Sequence, residues 1–241
     1  MCQFFSLISD GQGVAYYFNA KQRKQIRKNT LVDKQGHYNL EADSHTSIAA
    51  YFGLDEDYYN KYEYNPLTKR FVIDSICAPL NDQNQIKALC AKLDFSKIVP
   101  ELIIKPIVHP WRIRQRKKVV NKDTRLLRVW ASVEASVRDS VRDLVGASVW
   151  DSVWDSVWAS VWASVGDSAW DSARAYTSSF FKIKKYKGIK HKAGQNPFQS
   201  GIDLWHRGLV PSFDGRVWRL HGPEGKILKE ITKEDLQNIA L

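Results

Sequence analysis

The sequence predicts an α+β N-terminal domain, a central β-solenoid of tetrapeptide repeats and a small α+β C-terminal cap. Three observations carry this prediction. The first hundred residues alternate apolar runs with turn residues. A four-residue unit then recurs twelve times from Trp130 to Thr177, and the chain ends in a Gly- and Pro-punctuated helix-and-hairpin pattern. The expected segments are a small α+β domain over 1–110, a basic linker over 111–128, the repeat over 129–181, and a basic stretch with the cap over 182–241.

From the N-terminus, CQFFSLI and VAYYFN read as strands joined by the turn residues Asp10-Gly11-Gln12-Gly13. AKQRKQIRKN suits a short helix. Asp43 or Ser44 caps a second helix over HTSIAAYFG, which Gly53 ends. KYEY and RFVID flank Asn65-Pro66-Leu67-Thr68-Lys69 as a hairpin. Asp82 opens a helix whose Ile86, Leu89, Cys90 and Leu93 recur at i, i+3, i+4 and i+7 and form its apolar face. VPELIIKPIVHPW is extended and Pro-punctuated.

The repeat reads x-A/D-S-V. Its fourth column holds Val, then Ala169 and Ala173, so it belongs inside. Its first column accepts Trp, Glu, Arg and Gly, so it belongs outside. An α-helix of 3.6 residues per turn would rotate a period of four by about 40° per unit, and the Val stripe would wind around it. Ser, Val, Trp and Asp are also poor helix formers. A β-solenoid stacks equal columns, with Val inside, Ser in ladders and Trp or Arg outside. A long α-helix is the alternative. YTSSFF would close the stack. Beyond it, FQSGIDLWHRG suits a helix, 211–215 a turn, and VWRLH with KILKEI a hairpin.

The net charge of +10 is uneven. Residues 101–128 carry 9 basic and 2 acidic side chains, 129–175 carry 3 and 7, and 176–241 carry 12 and 6. Two basic clusters therefore bracket an acidic repeat. Arg114, Arg116, Lys117 and Lys118 form one, and Lys182, Lys184, Lys185 and Lys187 the other. Such runs suit nucleic acid or another polyanion, bound through its phosphates. In the repeat, Trp150, Trp154, Trp158 and Trp162, with Arg138 and Arg142, form the expected contact surface for a protein partner or for self-association.

Candidate chemistry is sparse. Cys2 follows Met1, and with Met1 removed it could act as an N-terminal nucleophile with His45 as partner. MCQFF is similar to the start of N-terminal-nucleophile amidotransferases, but Gln3 replaces the Gly expected after the nucleophile. His206 and His221 lie near Trp205, Asp214 and Arg219 in sequence, where a pocket is conceivable. The His and Cys spacings match no zinc pattern, Gly11–Gly13 and Gly222–Gly225 read as turns, and no metal or cofactor is expected. The three scattered cysteines suit a reducing, cytoplasmic setting. No signal peptide is evident, and no uncharged run approaches a membrane span.

MCQFFS, DSHTSI, KYEYNPLTKRFVID, the SVWDSVW tract and DLWHRGLVPSFDGRVWRLHG together resemble a group of uncharacterised bacteriophage-type proteins. The resemblance implies action inside a bacterial cell and brings no catalytic residue with it. The expected function is a non-enzymatic interaction or scaffold protein. Nucleic-acid binding is the alternative, and an N-terminal-Cys hydrolase or amidotransferase is a third reading.

Overall fold

A computed structural model describes residues 5–113, 118–141, 147–186, 188–192 and 194–237. The chain divides into two compact units, Met1–Lys105 and Pro106–Leu241.

In the first unit, β1 (Phe5–Ser9), β2 (Ala15–Tyr16), β3 (Asn60–Asn65) and β4 (Arg70–Ser75) form one antiparallel sheet in the order β2-β1-β3-β4. Between β2 and β3 lie α1 (Ala20–Arg27) and α2 (His45–Phe52). α3 (Gln83–Lys92) and α4 (Phe95–Ile98) follow β4. Several boundaries have a local cause. Asn19 and Gln22 form a capping box on α1. Ser44 caps α2, and Gly53 ends it in the left-handed region at φ 70°. The Asn65 carboxamide accepts from the Leu67 and Thr68 N–H groups and shapes the β3–β4 turn.

Both faces of this sheet are covered. Ile8 joins Phe18, Leu31, Leu40, Ile48 and Ala49 in one buried cluster. On the other face Phe95 meets the Phe5 ring at 5.1 Å and stacks on Tyr64 at 5.5 Å. Arg23 is buried against Asp43. It also donates to the Phe18 and Ala42 carbonyls, so the buried charge is both paired and hydrogen-bonded.

The second unit overturns the solenoid. The repeat is a chain of short helices: α5 (Asn121–Val133), a 3₁₀ turn over Glu134–Ser136, α6 (Val137–Val141), α7 (Ala147–Val153), a π turn over Trp154–Trp158, α8 (Ala159–Val165), a 3₁₀ turn over Asp167–Ala169, and α9 (Trp170–Ser178). It is not one long helix either. The 40° drift per unit is real, and the π turn answers it. A π turn holds more residues per turn than an α turn, so it rotates the Val column back. Val149, Val153, Val157 and Val161 all stay buried across that stretch. Gly166, at φ 75°, then breaks the helix before α9.

The serines make no ladders. Ser160, Ser168, Ser172 and Ser178 each donate to the carbonyl three residues back, a bond that helical backbone offers and stacked strands do not. Poor helix propensity is overridden by burial. Val137 and Val141 share one core with Leu127, Trp130, Tyr186, Phe198 and Leu220, so the repeat and the C-terminal segment fold as a single body.

That segment supplies α10 (Gln199–His206), β5 (Val210–Phe213), β6 (Val217–His221), β7 (Ile227–Thr232) and α11 (Lys233–Gln237), with β5-β6-β7 an antiparallel sheet. Residues 211–213, expected in a turn, belong to β5. Pro211 is tolerated there because β5 is an edge strand. The turn begins at Asp214, whose carboxylate accepts from the Arg216 and Val217 N–H groups. YTSSFF closes no stack. Its Tyr176 and Phe180 are core residues, and Tyr176 stacks on Trp205 at 4.8 Å.

Candidate functional site

A concentration of exposed charge lies on the segment after α9. Ile183, Tyr186 and Ile189 recur every third residue and face inward. Tyr186 is buried, and the two isoleucines pack against the same core. Tyr186 meets Phe198 at 5.5 Å and His191 at 5.1 Å, both edge-on. Burial pushes the Tyr186 phenol up to about 12, so it stays neutral at physiological pH.

Before, between and after these anchors Lys182, Lys184, Lys185, Lys190 and Lys192 are exposed. None of the five forms an ion pair with a described residue. The arrangement is a ridge of ammonium groups on a backbone pinned by Ile183, Tyr186 and Ile189. The other basic cluster is less informative. Lys118 is exposed. Arg114, Arg116, Lys117 and Lys187 lie outside the described residues.

The Trp column is not a solvent-facing row. Trp158 is 1% exposed and stacks on Trp170 at 5.2 Å with the ring planes 22° apart. Trp150 and Trp154 are half-buried against the same Trp170 ring, at 5.2 and 5.9 Å. Trp162 alone of the four is open, at 46% exposure, and its indole N–H donates to Asp167 at 2.8 Å. Arg138 is exposed, and Arg142 lies outside the described residues. The expectation that the first column faces outward fails because Trp170 gathers Trp150, Trp154 and Trp158 around its ring.

Two Ser–His pairs sit in this unit, and their tautomers differ. The His221 Nδ1 lies 2.8 Å from the Gly225 carbonyl and must carry a proton. Its Nε2 is then free to accept from the Ser212 hydroxyl, also at 2.8 Å. That is the order of a nucleophile and its base. Ser212 is nevertheless 2% exposed, and burial also lowers the His221 pKa, which keeps the ring neutral. The pair satisfies two buried polar groups and offers no substrate a path.

At His109 the Trp111 N–H donates to Nδ1. Nε2 is therefore protonated, and it donates to Ser160 at 2.6 Å. This imidazole cannot act as base toward Ser160. The pocket expected around Trp205 does not assemble either: Arg219 is held by Asp214 and Glu230, while Trp205 stacks on Tyr176.

In the first unit, His45 Nε2 donates to the Tyr62 carbonyl at 3.1 Å, and Nδ1 lies 3.6 Å from Asp74. Cys2 lies outside the described residues. Burial pushes the Cys90 thiol up to about 12, away from nucleophilic character.

Sequence reasoning missed the buried carboxylate of Asp82. Ser9 and Tyr62 donate hydroxyls to it, Asn60 its amide at 3.0 Å, and Gly13 its N–H at 2.9 Å. Burial pushes this carboxyl up, but the donors outweigh burial and hold it below the usual range. Only the Asp at a helix start was visible beforehand.

Among the described residues no group of three His, Cys, Asp or Glu side chains could hold a metal ion, and no helix is long and apolar enough to cross a membrane. No protein-family model matches the chain, and no curated protein or solved structure is significantly similar to it.

Proposed function

We propose that this chain is a non-enzymatic binder of nucleic acid or a like polyanion, and that the ridge of Lys182, Lys184, Lys185, Lys190 and Lys192 is the contact surface. The observation that carries this reading is the pairing of five exposed lysines, none in an ion pair with a described residue, with three apolar anchors on one short segment. Anchoring lowers the conformational entropy lost when the ammonium groups line up on phosphates. Lysine offers a point charge and no planar fork, so the contact is to backbone and largely independent of sequence.

The test is fluorescence anisotropy with a short labelled duplex and with its single strand, between about 50 and about 200 mM salt. The logarithm of the binding constant should fall linearly with the logarithm of salt. Lys184→Glu with Lys185→Glu should reduce the slope by about two. No binding at low salt, or identical slopes in the two proteins, would end this reading.

A second reading is supported by Trp162. A large indole, 46% exposed and fixed by its bond to Asp167, suits a protein contact or self-association. Sedimentation of wild type and Trp162→Ser tests it, and equal mass and shape at all concentrations would remove self-association.

A further inference from the structure

We propose that the open edge of β4 is a docking site for an extended acidic segment of a partner protein, which adds to the sheet as a fifth strand. β4 ends the order β2-β1-β3-β4, and among the described residues β3 is the one strand that pairs with it, so its far edge is an open sheet edge. Beside that edge runs a groove of about 490 Å³, lined by Arg70 to Ile73 and by Gln83, Asn84 and Lys87 of α3. Four consecutive strand residues line it, so backbone and alternate side chains of both faces are reachable. That is what strand addition requires.

The groove also states which side chains it accepts. Its charged members are Arg70 and Lys87, both exposed and neither in an ion pair with a described residue. No Asp or Glu lines it. Asp74, further along β4, faces His45. Gln83 and Asn84 can both donate and accept, which suits a second peptide backbone. Ile73, 41% exposed, offers an apolar contact between the charges. The site is independent of the lysine ridge.

The probe is a short fluorescent peptide of alternating Glu and Val, titrated against the full chain, with a Lys–Val peptide as the opposite charge. The Glu–Val peptide should bind, the Lys–Val peptide should not, and amide exchange at Phe71–Ile73 should slow in the complex. Arg70→Glu with Lys87→Glu should weaken the acidic peptide at least about tenfold and admit the basic one. Lys184→Glu with Lys185→Glu should leave binding intact, which separates this groove from the ridge. If the charge-reversed variant does not fold by circular dichroism, Arg70→Gln with Lys87→Gln replaces it and should show the same loss. The proposal fails if wild type does not bind the Glu–Val peptide. It also fails if the groove variants bind as wild type does, or if the ridge variant loses binding instead.

Discussion

Trp158 stacks on Trp170 with ring centroids 5.2 Å apart, so one face of the repeat closes on the helix that ends it. The Arg174 guanidinium lies over the same Trp170 ring at 5.3 Å. Trp158 and Trp162 stand one repeat apart in sequence, yet one is core and the other surface. Trp158→Ser should therefore destabilise the second unit by about 3–5 kcal/mol. Trp162→Ser, which loses one exposed hydrogen bond and a ring contact with Trp154, should cost clearly less, about 1–2 kcal/mol. Urea midpoints of the two variants check this, and equal losses would contradict the burial pattern.

The α5–α10 crossing yields a second expectation. A Cβ at Gly201 would stand 2.6 Å from Cε3 of the buried Trp130 ring. Gly201 is helical with ordinary backbone angles, so the constraint is close approach and not φ. Gly201→Ala should cost about 1–3 kcal/mol by overpacking. Pairing it with Trp130→Leu should recover part of the Gly201→Ala penalty. Strict additivity of the two would show that the helices do not meet there.

What was legible in the sequence was local. Ser44 and Gly53 bracket a helix because cap and stop act on their own neighbours. Asn65 and Asp214 form turns through their own side chains. The repeat was misread because its period of four was tested against an uninterrupted helix. The π turn at Trp154–Trp158 and the break at Gly166 remove that condition, and the π turn packs its Trp154 and Trp158 on Trp170, which lies beyond the break. Val137, Val141, Val149, Val153, Val157 and Val161 are buried as their column predicts, while Val133 and Val165 are only partly so, and partners of Val137 and Val141 lie far along the chain. The lysines were visible as charge, whereas the inward Ile183, Tyr186 and Ile189 depend on a core that no local pattern reveals.

A pH expectation follows from two groups of opposite sign. Burial, then a hydrogen bond and the charge of Asp171, push the Glu134 carboxyl up to about 7. Its folded pKa lies above the unfolded value of about 4.3, so its contribution is complete below that value and is lost as pH rises through about 7. His221 is lowered by burial, so its contribution is present above about 6.5 and is lost as pH falls. Between about pH 5 and 7.5 the two oppose each other. Glu134 is partly solvated, so its share is on the order of 1–2 kcal/mol after screening. Glu134→Gln removes one arm, and stability should then rise with pH across this window more steeply than in wild type. An unchanged slope would show that Glu134 titrates normally.

The last expectation uses an accident of composition. All nine tryptophans lie in Pro106–Leu241, so indole emission reports the second unit alone while far-ultraviolet dichroism reports both. Asp82 holds four donors in the first unit: two hydroxyls, an amide and a backbone N–H. Asp82→Asn keeps the shape but turns one acceptor oxygen into an NH₂ group that faces those donors. At least one buried donor loses its partner, at about 1–3 kcal/mol, and the charge assistance of the others is lost as well. The dichroism transition should move to lower urea while the fluorescence transition stays in place. A joint shift would mean that the units unfold together, and no shift in either would mean that the Asp82 carboxylate does not hold the loop at Gly13 to the helix start.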